Sequence, residues 1–324
     1  MEAGLVERAG IPFRAIPAAG VHGVGLRSLP RNLWQLGRGV LASRKILGEY
    51  RPDVLLFTGG YVAVPMAVAG IRVPTLLCVP DIEPGLALKT LARFADRIAL
   101  TAEDSQRYFR KARRTLLTGY PTRPDLSTWT RQRARKALKL AEDAPVLLVL
   151  GGSKGARSIN RAVLAELPAL LELTQVVHVT GQLDWAEVQA GTPGLDKQQY
   201  ARYHAFPYLH EQMGAALAAA DLALSRAGAS TLGEYPLFGL ASILVPYPYA
   251  WRYQKVNADY LVRRGAALLL TEDRLTGELL DTLKGLLQAP ERLEAMRTAA
   301  RSLARPQAAA QIGRLLLELA GKRR

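Results

Sequence analysis

Short runs of consecutive apolar residues alternate with stretches of helical spacing along the chain, the pattern of parallel strands joined by crossover helices. In the first half, residues 53–58 (Asp-Val-Leu-Leu-Phe-Thr) and 75–79 (Thr-Leu-Leu-Cys-Val) read as buried strands. Helical stretches follow them near 62–69 and 86–94, and residues 97–101 and 115–119 form two further short strands. A second series opens at 144–152 and continues through 175–180, 222–225, 242–246 and 267–271. Between the series, Pro121 and Pro124 lead into a basic, helix-like segment over 131–139, which places the domain junction there. A helix over about 307–319 closes the chain. The predicted fold class is α/β, with two similar parallel-sheet halves.

A chain of 324 residues accommodates two such domains, each with its own core. No apolar run approaches the ~18 residues of a membrane span, and the charged first residues do not form a signal peptide. A soluble or peripheral protein is therefore expected. The single cysteine, Cys78, sits in an apolar strand and reads as a core residue. His22, His178, His204 and His210 show no ligand-like spacing, so no metal site and no cofactor are expected. The formal net charge is +15, and it is unevenly spread. Residues 1–150 hold 23 Lys and Arg against 12 Asp and Glu, whereas 151–324 hold 20 against 16. A basic first half suits an anionic partner such as phospholipid or pyrophosphate. Nucleic acid is not expected, since no helix-turn-helix, zinc-finger or RNA-binding signature is present.

Three segments carry candidate chemistry. The first is a strand, a glycine-rich turn and a helix start, with Gly151, Gly152, Ser153, Lys154 and Gly155 in the turn. Glycines allow the sharp turn, and the helix start offers unpaired N–H groups to a phosphate. The turn fits neither the Walker A pattern nor Gly-x-Gly-x-x-Gly. The second segment runs from Leu224 through Arg226, Gly228, Ala229 and Thr231 to Glu234. Glu234 falls about one turn into a helix, where a carboxylate either accepts both hydroxyls of a ribose or complements the helix N-terminus. The third, residues 246–258, leads into a helix on which Gln254 and Asn257 share a face. Their amides both donate and accept, as sugar hydroxyls require. All three follow strands and gather at the carboxyl ends of one sheet, where open α/β sheets bind ligands.

Together with Gly59-Gly60-Tyr61, Pro84-Gly85, Lys89, Gly119-x-Pro121-x-Arg123, Asn160, Met213 and Ala220-Asp221, these segments resemble the MurG family along essentially the whole chain. The family transfers N-acetylglucosamine from UDP-N-acetylglucosamine to undecaprenyl-pyrophosphoryl-muramyl-pentapeptide (lipid I), giving lipid II for peptidoglycan. The resemblance implies a GT-B fold, two Rossmann-like domains facing a central cleft. It implies an acceptor- and membrane-side domain over 1–125, a UDP-sugar-binding domain over 126–306, and a closing helix in 307–324 that packs back on the first domain. Gly152, Ser153 and Lys154 would hold the donor phosphates, and Glu234 the ribose, within a donor set that includes Arg226, Gly228, Ala229, Thr231 and Asn257. The backbone near Phe206, with Met213, would face the uracil, and Gln254 would read the sugar hydroxyls. Asn160 and Tyr61 would line the cleft, with Gly60, Lys89 and Arg123 on the acceptor side. The reaction would invert the anomeric centre without a cofactor, at the cytoplasmic face of the cell membrane.

The sequence departs from the family in two places. The family's opening strand and Gly-Gly-Thr-Gly-Gly-His loop are absent, which implies a start upstream of Met1 and a chain inactive or slow in transfer as given. The family's His-Glu-x-Asn is replaced by Cys78-Val-Pro-Asp81, followed by Glu83, which makes Asp81 and Glu83 the candidate catalytic carboxylates. A membrane-surface segment is expected around Arg27, Leu29, Arg31, Leu33 and Trp34, where apolar and basic residues interleave. The same segment would also serve as an ordinary amphipathic helix packed on the sheet. Two other functions fit the altered acceptor side: a UDP-sugar-dependent glycolipid synthase, and a non-catalytic nucleotide-sugar-binding module.

Overall fold

The computed structural model describes residues 2–20, 29–109, 115–152, 155–192, 194–248 and 253–321. Among the described residues, four short strands build the first sheet: β1 (Leu55–Phe57), β2 (Thr75–Val79), β3 (Arg97–Leu100) and β4 (Thr115–Leu117). They pair in sequence order, all parallel. β2 is buried at every position, so it reads as an unbroken apolar run instead of an alternation. Helices Ala63–Ala69 and Leu86–Leu91 cover one face, closing a core around Leu77, Val79, Leu88, Leu91 and Ile98. The other face is covered from the far end of the chain. Ile312, Leu315 and Leu319 form one stripe of helix Ala308–Gly321 and pack against Leu76, Cys78 and Ala99. Burial there pushes the Cys78 thiol up to about 11.

Helix Leu29–Tyr50 lies against helix Ala63–Ala69. Their approach needs Gly39, where a Cβ would fall 2.2 Å from the Pro17 carbonyl oxygen and 3.1 Å from the Pro65 ring. Leu33, Trp34 and Leu41 of this helix are exposed, with the Arg38 guanidinium 4.8 Å from the centre of the Trp34 ring. Arg31 is also exposed, whereas Arg27 lies outside the described residues. No described helix is long and apolar enough to cross a membrane.

The second sheet contains β5 (Val146–Leu150), β6 (Gln175–Val179), β7 (Tyr203–Phe206), β8 (Leu222–Ser225), β9 (Ala241–Leu244) and β10 (Ala267–Leu269). Its order is β10-β9-β8-β5-β6-β7, with every pair parallel. This is the doubly wound arrangement, in which the winding direction reverses between β5 and β8 and leaves a crevice at their carboxyl ends. The domain's core begins before its sheet, because Leu126, Ala134 and Leu138 pack with Val146, Leu148, Ala215 and Ala223. Arg135 is buried in this segment. It donates to Asp221 at 2.8 Å and to the carbonyls of Ala141 and Ala144, both at 2.9 Å. The same Asp221 oxygen, Oδ2, also accepts from the backbone N–H of Val146 at 2.9 Å, which ties helix Arg131–Ala137 to the start of β5.

Candidate functional site

The glycine-rich turn follows β5 at the reversal point. Gly152 and Gly155 both have φ +87°, and Gly155 N–H donates to the Gly152 carbonyl at 3.0 Å. A Cβ on Gly151 would meet the Ala156 nitrogen at 2.3 Å, and one on Gly155 would meet the Thr180 carbonyl at 2.5 Å. Glycine is therefore required sterically at both ends of the turn. Helix Arg157–Ala165 starts directly after it, presenting the unpaired amides of its first turn. Ser153 and Lys154 lie outside the described residues. A hollow of about 950 Å³ opens beside the turn, bordered by Gly151, Arg157, Ser158, Arg226, Tyr247, Gln254 and Glu272.

Several expected ligand contacts are used internally. Arg226 pairs with Glu272, donates to Ser158 Oγ at 2.9 Å and to the Val245 carbonyl at 3.1 Å, and lies 5.2 Å from the centre of the Tyr247 ring. It holds the loops after β8, β9 and β10 together. The Thr231 hydroxyl donates to the Gly228 carbonyl at 2.7 Å, which shapes the turn before helix Thr231–Phe238. Gly228 has open space where a side chain would stand, and Ala229 is half-buried beside it. Gln254 accepts from the Tyr247 N–H at 2.8 Å while bordering the hollow. Phe206 ends β7, Met213 begins helix Met213–Ala219, and both are packed partly buried on the domain core.

Asn160 does not line the cleft. It is buried, and its amide nitrogen donates to the Thr180 carbonyl at 2.9 Å and to Asp184 at 3.0 Å. Its amide oxygen faces His178 Nε2 at 3.0 Å. The helical position of Asn160 points it beneath the glycine turn, where a carbonyl, a carboxylate and an imidazole engage its amide.

Asn257, grouped with Gln254 from its spacing, instead spans the two domains. It is fully buried; Nδ2 donates to Asp81 at 2.8 Å and to the Ala227 carbonyl at 3.2 Å, and Oδ1 accepts from Ile82 N–H at 3.0 Å. Two residues three apart on a helix share a broad face, yet only Asn257 reaches the opposite domain. Burial raises the Asp81 carboxyl above its usual range, and the Asn257 hydrogen bond partly opposes the rise. Glu83 is buried at 3% exposure and lies 3.7 Å from Lys89 Nζ. This ion pair sets Glu83 apart from Asp81, which faces the second domain. Gly60 adopts φ +82° before the exposed Tyr61.

Glu234 lies at the same junction, with its charge felt by Tyr120, which also senses Asp81. Burial pushes the Glu234 carboxyl up to about 7, and the nearby Arg123 charge acts in the opposite direction. Arg123 is itself exposed and donates to the His210 carbonyl at 3.4 Å. Tyr120 packs against the start of the Glu234 helix, since a Cβ on Gly233 would fall 2.8 Å from Tyr120 Cβ. Farther along the junction, Arg263 reaches Asp104 at 3.0 Å, and Arg264 reaches Glu103 and Asp104 at 2.8 and 2.7 Å. Among the described residues, no group of three or more His, Cys, Asp or Glu is arranged to hold a metal ion.

Residues 1–100 match the Glycosyltransferase family 28 N-terminal domain, and residues 146–312 match the Glycosyltransferase family 28 C-terminal domain. A Roseiflexus protein named UDP-N-acetylglucosamine--N-acetylmuramyl-(pentapeptide) pyrophosphoryl-undecaprenol N-acetylglucosamine transferase is 41% identical, over all of this chain and 82% of that relative. A Desulforamulus reducens protein of the same name is 40% identical, over 96% of this chain and 86% of its own. The chain belongs to the MurG family. A MurG crystal structure from Acinetobacter baumannii superposes with a TM-score of 0.74 at 26% identity, covering 98% of this chain and 88% of that one. The two parallel-sheet domains are thus those of a MurG-type GT-B fold. A UDP-GlcNAc 2-epimerase from Neisseria meningitidis, bound to UDP-GlcNAc, shares only the fold, with a TM-score of 0.67 at 14% identity over 98% of this chain and 88% of that one.

Proposed function

We propose that this chain transfers N-acetylglucosamine from UDP-N-acetylglucosamine to lipid I, forming lipid II with inversion at the anomeric carbon. The observation that carries this reading is the 41% identity to a transferase of that name over the entire chain. The geometry supports it by gathering the glycine turn, the Arg226–Glu234 segment and Gln254 at the carboxyl ends of the second sheet. The donor diphosphate would sit at the turn and helix start, the ribose hydroxyls on Glu234, and the sugar hydroxyls near Gln254. Arg226, Thr231 and Asn160 would shape this site from behind.

In the transfer, the acceptor hydroxyl oxygen attacks the sugar's anomeric carbon as the bond to the diphosphate oxygen breaks. UDP departs with that bonding pair, its charge stabilised by the turn amides, and the hydroxyl proton passes to a carboxylate. Asp81 is the proposed acceptor of that proton: it lies at the domain junction, and burial makes its carboxylate more basic. Glu83, buried beside Lys89, would hold the following turn. The exposed Leu33 and Trp34 with Arg31 and Arg38 would rest on an anionic membrane at the cytoplasmic face.

The test offers the protein UDP-N-acetylglucosamine carrying a labelled sugar, with lipid I and diacylglycerol together in vesicles. The identity of the labelled acceptor is the readout. Label in a β-linked disaccharide on the undecaprenyl lipid is expected; label on diacylglycerol would overturn the acceptor assignment in favour of a glycolipid synthase.

A further inference from the structure

A buried chain of polar side chains runs beneath the glycine turn. His178, next to the carboxyl end of β6, is completely buried, with Nδ1 2.8 Å from the Tyr203 hydroxyl and Nε2 3.0 Å from the Asn160 amide oxygen. The direction of each hydrogen bond follows from its neighbours. Asn160 uses its amide N–H groups on the Thr180 carbonyl and Asp184, so its oxygen must accept. His178 Nε2 is therefore the protonated nitrogen, Nδ1 accepts, and the Tyr203 hydroxyl donates to it. Burial depresses the imidazole to about 3, which keeps this neutral tautomer in place at any physiological pH.

The far end of the chain meets the turn. Asp184 accepts from Arg157 Nε at 3.2 Å, at the first residue of the helix after the turn. A Cβ on Gly155 would lie 3.1 Å from the Asp184 carboxylate and 2.5 Å from the Thr180 carbonyl, the two groups that Asn160 holds. The turn thus rests on a surface whose polar atoms are fixed by Asn160, and through it by His178 and Tyr203.

We propose that Tyr203, His178, Asn160 and Asp184 act as positioning residues that hold Gly155 and the start of helix Arg157–Ala165 where the donor diphosphate is received, an inference that rests on the donor-site reading above. Tyr203, His178 and Asn160 do not border the hollow, whereas Asp184 stands at its edge beneath the turn. Their loss should be felt by the diphosphate and not by the nucleoside.

The experiment titrates the wild-type protein, Asn160→Ala and Tyr203→Phe with UDP and with uridine, after thermal melts establish that each variant is folded. UDP affinity is expected to fall at least about tenfold in Asn160→Ala, and by a smaller factor in Tyr203→Phe, with uridine changed by less than about twofold. Equal weakening of UDP and uridine, or unchanged UDP affinity in a folded Asn160→Ala, would overturn the positioning role. If Asn160→Ala does not fold, Tyr203→Phe decides by the same comparison. Failure of the wild-type protein to bind UDP at all would instead overturn the donor-site reading, and this inference with it.

Discussion

Glu234 is the residue at which binding and stability pull in opposite directions. Its carboxyl is pushed from 4.5 up to about 7 by burial, so between those values the folded chain keeps a proton that the unfolded chain releases. Stability from this group is full below pH 4.5 and is lost as pH rises through about 7. At about 1.36 kcal/mol per unit, the displacement amounts to roughly 3 kcal/mol of destabilisation above pH 7. Glutamine keeps the shape of the protonated acid and cannot ionise. Glu234→Gln should therefore match the wild type within about 1 kcal/mol at pH 5 and exceed it by roughly 2–3 kcal/mol at pH 8. Urea unfolding at both pH values, followed by circular dichroism without nucleotide, measures the difference. The same variant should bind UDP more weakly by about 1.5–3 kcal/mol, the usual worth of a hydrogen bond to a charged group. Equal stabilities at pH 8, or a variant less stable there than the wild type, would refute the claim that Glu234 is held in an environment hostile to its charge.

Two further substitutions probe the frame around the site. Asp221→Ala would strip the buried Arg135 guanidinium of its carboxylate and the Val146 N–H of its acceptor; a loss of about 3–5 kcal/mol in urea unfolding is expected, and a loss below about 1 kcal/mol would contradict a buried pair. Asn257→Ala removes the hydrogen bond that lowers the Asp81 carboxyl, so the acidic limb of the kcat/KM profile should move to higher pH, and an unmoved limb would remove Asp81 from the rate.

Much of the fold was legible because buried parallel strands leave continuous apolar runs. The runs at 75–79 and 146–150 are such strands, and each is followed by its helix. β7 left no such trace: Tyr-His-Ala-Phe is short, half-buried and neither apolar throughout nor alternating. Strand ends were also overextended, since residues 53, 54 and 58 flank Leu55–Phe57 without joining its ladder. At the site, glycine spacing revealed the turn because only glycine tolerates that backbone. The assignment of partners was hidden, for a different reason. Asn160, His178 and Asp184 are separated in sequence by turns and a whole helix, so their contact arises only from packing β5 beside β6. Likewise, nothing local separates Asn257 from Gln254; the difference is which of them meets the first domain.

A crystal structure of the protein with UDP-N-acetylglucosamine tests the central claim most directly. The diphosphate is expected at the glycine turn after β5, both ribose hydroxyls on the Glu234 carboxylate, and the sugar within hydrogen-bonding reach of Gln254. A nucleotide bound away from the carboxyl ends of β5 and β8, or a ribose that leaves Glu234 without contact, would contradict it.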